Sequence, residues 1–247
     1  MQRNNYSRIL WLFGIISPFA LIPFERAVSR FLGIDPLVFT PWHLALAAIE
    51  AAVIYGLMIK YGMQWATARG ARFLLLEKNV NFWRDLFKPG LVAGIVCALA
   101  ILVVDQCLPA SPLNFLVLAK SIPPLIGFFG LFFCIVNQEI FLNLFCVAGI
   151  ATGFKYMCKE LPNDALWILS ILITSVIFGI VHLPVFVYQG MPDMALVILR
   201  SIVLNLLSGI TFGMLFWKKS FETAIWGHVV VDAIVFVIVP LYALYLQ

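Results

Sequence analysis

Residues 126–145 read IGFFGLFFCIVNQEIFLNLF, twenty residues carrying one charge, Glu139. A helix needs about 20 apolar residues to cross a hydrocarbon core of ~30 Å, so this run is long enough to span a bilayer. Its apolar positions are consecutive rather than alternating. That favours a helix over a strand of a closed barrel, the only other backbone that satisfies its hydrogen bonds in lipid.

The rest of the chain repeats the pattern. Of 247 residues 63% are hydrophobic and 11% charged, where a soluble domain carries about 45–50% and about 25%. Runs of spanning length lie at about 8–25, 41–63, 90–108, 122–153, 165–188, 194–217 and 222–246. They predict an all-α, polytopic transmembrane bundle of seven spans, with residues 1–247 forming a single membrane domain. The stretch 109–121 is interrupted by Pro109 and Pro112, which break a helix; it reads as a re-entrant or interfacial piece, or as the start of an eighth span. The first run follows MQRNNYSR and continues into ERAVSRF without a small-x-small cleavage pattern, so it is expected to stay as an uncleaved span.

Basic residues orient such a chain by their excess on the cytoplasmic side. Arg3 and Arg8 precede the first span, and Arg69, Arg72, Lys78, Arg84 and Lys88 lie in the longest loop. A seven-span count puts Lys155, Lys159, Lys218 and Lys219 on the same side and leaves only Arg26 and Arg30 opposite. The expectation is an integral protein of a bacterial-type inner (plasma) membrane with a cytoplasmic N-terminus. The loop 64–89 mixes its cations with Trp65, Phe73, Leu74, Leu75, Leu76, Phe82 and Trp83, as a basic amphipathic segment lying among lipid headgroups does; a solvated loop with some burial is the alternative. The net charge of +4 suits anionic lipid, and no nucleic-acid motif is present, so no such partner is expected. Five cysteines show neither CxxC nor zinc-like spacing and read as apolar fillers.

Against that background the polar residues inside the runs stand out, since a charge at mid-bilayer is costly and usually faces the bundle interior. Glu139 is followed at i+4 by Asn143 on the same helical face, with Gln138 about 100° round the helix. His182 closes SVIFGIVH, one turn after Phe178, and His228 and Asp232 in GHVVVDA are again i and i+4. Asp105, Lys120 and Arg200 lie near run ends, where they are expected to snorkel to the interface. Arg200, Asn205, Glu139 and Asp232 together give a second reading, a polar-path transporter, although the matching broken helices of such folds are not evident.

The three clusters resemble the three motifs of the CAAX protease and bacteriocin-processing family of intramembrane endopeptidases, which includes the type II CAAX prenyl proteases. Its motifs read EExxxR, FxxxH and HxxxN/D. Here they are QEIFLN at Gln138 to Asn143, FGIVH at Phe178 to His182 and HVVVD at His228 to Asp232, within a family-like core of about residues 120–240. The resemblance implies cleavage of a membrane-proximal peptide bond by an activated water, in a peptide or membrane-anchored protein substrate. It places water activation at Gln138 and His182 and the oxyanion at His228 and Asp232.

The first motif departs from the family. Gln138 has no useful basicity where the family keeps a glutamate, and Asn143 stands at the arginine position. Three consequences are open: Glu139 takes over as base if its helix is rotated or locally unwound, the chain is a catalytically inactive relative that binds peptides or membrane proteins, or Gln138 is an introduced replacement. No cofactor is expected; the metal alternative is zinc on His182 and His228 with Glu139 or Asp232 as third ligand, though no HExxH is present. At ~1.5 Å per residue Glu139 lies about 24 Å from Lys155, His182 about 27 Å from Asp164 and Asp232 about 20 Å from Lys219. Convergence on one site therefore requires helices that tilt or enter at different heights.

Overall fold

The structure, a computed structural model, describes residues 2–31, 41–108, 124–183 and 194–245. Among these residues every regular element is helical. Helix α1 covers Arg3–Phe31, α2 Pro41–Ala68 and α3 Lys88–Cys107, the last entered through a π-helical turn Trp83–Phe87. Helix α4, Pro124–Glu139, runs through a π-helix Ile140–Val147 into α5, Ala148–Met157. Then come α6 Asn163–Val181, α7 Met194–Lys218 and α8 Phe221–Ala233, the last continued by a π segment Ile234–Ile238 into α9 Val239–Tyr245. Six of these stretches are long and apolar enough to cross a membrane, at 44–68, 83–107, 132–157, 163–181, 195–218 and 221–238, and α1 is a further helix of 29 residues. The chain is an integral membrane protein built as a polytopic helical bundle. The stretch 109–121 and Lys120 lie outside the described residues.

Local chemistry sets the helix ends. Pro89 sits in the first turn of α3, where a missing N–H costs nothing. Gly70 ends α2 with φ at 84°; its N–H donates to Thr67 O at 3.1 Å and Ala71 N–H to Ala66 O at 2.9 Å, the paired bonds of a left-handed helix terminus. Ser220 caps α8 by accepting from Thr223 N–H at 3.0 Å.

The described connections between spans gather at one end of the bundle. The rings of Tyr6 and Phe73 meet edge-on at 5.9 Å, Phe221 N–H donates to Arg72 O at 3.1 Å, and Lys218 lies 3.9 Å from Asp164. The start of α1 and the turns α2–α3, α5–α6 and α7–α8 thus share one end, so α3 departs from it and α4–α5 returns to it. That is the parity of a seven-span count.

The loop expected over 64–89 is shorter and partly internal. Helix α2 runs on to Ala68, a 3-10 turn forms at Leu74–Leu76, and the π-helical entry to α3 begins at Trp83. Leu75, Phe82 and Trp83 are exposed, as an interfacial segment requires, whereas Phe73 and Leu74 are buried in the bundle. Glu222, near the start of α8, holds them there by accepting from Leu74 N–H at 2.9 Å and Leu75 N–H at 3.2 Å. The loop therefore covers the first turn of α8, and Phe221 is wholly buried. Helix α8 starts below the end of the bundle, which is how its residues meet those of longer helices at one depth.

Asp105 and Arg200 do not snorkel. They form an ion pair between α3 and α7 with side chains 0% and 4% exposed. Each alone looks like an interfacial charge, but the contact of the two helices makes burial of both less costly than leaving one unpaired in lipid.

Helices α3 and α8 pack at close range because Gly90 and Gly94, four residues apart, lie against α8. A Cβ at Gly94 would come within 2.7 Å of Gly227 O and of Val230 Cβ, neither of which can swing aside. Gly94→Leu is expected to lower stability by about 1–3 kcal/mol or more, read as a fall in the melting temperature of the detergent-purified protein.

Candidate active site

The polar groups of α4, α6 and α8 meet in the middle of the bundle. Glu139 is 1% exposed, and both carboxylate oxygens are engaged. Oε1 lies 2.8 Å from His228 Nδ1, and Oε2 accepts from Asn143 Nδ2 at 2.5 Å. With Nδ1 assigned as the donor to Oε1, His228 keeps the lone pair of Nε2 for other use. Nε2 faces Asp232 Oδ1 at 3.9 Å, too far for a direct hydrogen bond and a separation that one water can bridge.

The histidine ring is fixed from the other sides by aromatics. Phe212 stacks on it at 4.2 Å with 19° between the planes, and Phe178 meets it edge-on at 6.3 Å. Phe178 also meets the His182 ring, at 4.9 Å. His182 caps α6 with Nδ1 2.8 Å from Phe178 O; a carbonyl only accepts, so Nδ1 is the donor and Nε2 again keeps its lone pair. The phenyl ring of Phe178 is thus the spacer between two imidazoles of the same tautomer.

Glu139, Asn143, His228 and Asp232 come together, and His182 joins them through Phe178. Gln138 does not. Its amide donates to Cys134 Sγ at 3.2 Å, back along its own helix. Glu139, the one carboxylate of the first motif, reaches the histidine from a helix that widens immediately after it. From Ile140 to Val147 the backbone bonds i to i+5, each turn takes in an extra residue, and the faces before and after are turned against each other. Ile135, Val136 and Glu139 pack inward before the widening, and Ala148, Ala151 and Thr152 after it. The local unwinding that Glu139 requires is present next to it.

Zinc on His182 and His228 finds no support in the side-chain geometry. Among the described residues no three His, Cys, Asp or Glu side chains converge as metal ligands, and Glu139 and His228 face one another across a hydrogen bond. Of the residues of the transporter path, Arg200 is paired with Asp105 and Asn205 donates to Ser201 O of its own helix at 2.8 Å.

Phe212 escaped the sequence reading, and Cys134, read as an apolar filler, is the acceptor of Gln138. Phe212 sits in the apolar stretch GITFGMLF, where nothing distinguishes it from other lipid-soluble aromatics. Replacing it with leucine keeps the core filled and removes the stacking surface. If His228 acts in peptide cleavage, Phe212→Leu is expected to reduce kcat by about 10- to 100-fold with KM little changed, because a small misplacement of a reacting group is costly; steady-state kinetics on a cleavable membrane peptide read this.

Residues 120–234 match the family described as type II CAAX prenyl endopeptidase Rce1-like. The resemblance drawn from the three motifs therefore holds over a segment that contains all of them. Comparison with curated proteins and with solved structures gives no match.

Proposed function

We propose, on the premise that residues 120–234 are of the CAAX protease and bacteriocin-processing type, that the chain is an intramembrane endopeptidase in which the Glu139–His228 pair is the base. The observation that carries this reading is the hydrogen bond between Glu139 Oε1 and His228 Nδ1, which leaves Nε2 as a proton acceptor. A water between Nε2 and Asp232 Oδ1 gives its proton to Nε2 and attacks the peptide carbonyl. Glu139 stabilises the imidazolium that forms, and Asn143 holds the carboxylate in place. The proton then passes from Nε2 to the leaving amine, and the peptide bond breaks. His182, with Nε2 unspent beside Phe178, is assigned to the same water or to the substrate amide.

These roles differ from those implied by the family motifs, where the first motif position activates water and His228 holds the oxyanion. The difference follows from Gln138, which is not basic and turns to Cys134. The substrate class is a membrane-anchored peptide cut near the bilayer, with prenylated tails, bacteriocin precursors and signalling peptides as its candidates. In a cell, the site is assigned to an inner or plasma membrane with the basic end of the bundle cytoplasmic.

A second reading has its own observation. Both oxygens of Glu139 are bonded within the protein and the side chain is almost fully buried, as in a structural pair of an inactive relative that binds peptides. Incubating the purified protein in liposomes with a pool of membrane-anchored peptides, with mass-spectrometric readout, separates the two. Products that disappear with His228→Ala and His182→Ala support the protease; peptides retained uncut by the parent support the binding protein.

A further inference from the structure

A second polar feature lies away from this cluster, at the basic end, where α1 and α2 diverge. The groove between them has a volume of about 650 Å³ and is lined by Arg3, Arg8 and Met63 toward its mouth, with Lys60 about one turn deeper on α2 and Trp11 and Gly56 below. None of the residues lining it is acidic, and no described carboxylate pairs with any of the three cations. Among the described residues, Lys60 Nζ lies 5.4 Å from the ring of Tyr61.

The groove is held in shape by its walls. Trp11 Nε1 donates to Ala52 O at 2.7 Å, tying the indole across to α2. Ser7 Oγ lies 3.3 Å from Met63 Sδ, one turn nearer the mouth. Trp11 is eight residues beyond Arg3, about 12 Å along the helix. The site is therefore cationic toward the end of the bundle and apolar beneath, on a flank where Leu12 and Leu57 face outward.

We propose that this groove holds one anionic phospholipid, with its phosphate among Arg3, Arg8 and Lys60 and an acyl chain laid along Trp11 and Gly56. Charge complementarity selects an anionic headgroup over a zwitterionic one. The apolar part of the groove selects a lipid over a free phosphate, which would leave the exposed face of Trp11 without an occupant.

The test is native mass spectrometry of the full chain in non-ionic detergent, titrated in turn with phosphatidylglycerol, phosphatidylcholine and inorganic phosphate. The expected result is a 1:1 adduct with phosphatidylglycerol that binds about 10- to 100-fold more tightly than phosphatidylcholine, and no stable adduct with phosphate. The Arg3→Gln, Arg8→Gln, Lys60→Gln triple variant is expected to lose this preference. Gly56→Leu keeps every charge and fills the lower groove; a Cβ there meets Trp11 Nε1 at 3.5 Å, an ordinary contact. It is expected to weaken the adduct at least 10-fold with an unchanged melting temperature, and it decides the matter should the triple variant fail to fold. Equal affinity for the two lipids, an adduct with phosphate as strong as with lipid, or a Gly56→Leu protein that binds like the parent overturns the proposal.

Discussion

Glu139→Gln is expected to reduce peptide cleavage by about 10³-fold while the protein still folds. The loss of a positioned base lies in the range of about 10² to 10⁴, and two features place this substitution toward the upper part. The amide cannot stabilise the imidazolium of His228. It also offers only one acceptor oxygen where the carboxylate has two, so either His228 Nδ1–H or Asn143 Nδ2 loses its partner. Because the side chains are nearly the same size, the core around Ile135, Val136 and Ile140 stays filled. The drop is expected in kcat, since the charge that Glu139 stabilises exists only during proton transfer. A Glu139→Gln protein cleaving at the parental rate removes Glu139 from the mechanism.

The second large effect concerns stability. Arg200→Met or Asp105→Leu alone strands one charge in the interior, and each is expected to cost about 3–5 kcal/mol. The double variant replaces the pair by apolar side chains of similar size, and is expected to return to within about 1 kcal/mol of the parent or above it. Neither residue belongs to the Glu139 cluster, so the double variant is expected to keep its cleavage activity within a few-fold. Melting curves of the four proteins in one detergent read the cycle; single variants as stable as the parent would show that water reaches the pair.

The architecture was legible because run length and continuity are read directly from the chain. The 126–145 run, the parity of the basic turns and the three polar clusters at i and i+4 needed no tertiary information. What the chain did not display was phase. Gln138 and Glu139 are neighbours about 100° apart on a helix, and deciding which faces His228 depends on the π-helix after Glu139, whose residues IFLNLFCV carry no sign of widening. Depth was hidden for a similar reason. The start of α8 is recessed because Glu222 holds Leu74 and Leu75 over it, and the same apolar and basic residues describe an interfacial loop equally well. Asp105 and Arg200, 95 positions apart, each met the pattern of a run-end charge, and only the contact of α3 with α7 reveals them as partners.

The most direct measurement of the central claim, that the Glu139–His228 pair works in place of the family's usual glutamate, compares three proteins on one membrane-anchored peptide pool: the parent, Glu139→Gln and Gln138→Glu. The expected result is cleavage by the parent, loss of cleavage with Glu139→Gln, and a Gln138→Glu rate within a few-fold of the parent, since position 138 turns to Cys134. No cleavage by the parent together with cleavage by Gln138→Glu would contradict the claim and mark the natural chain as an inactive relative with its pocket preserved.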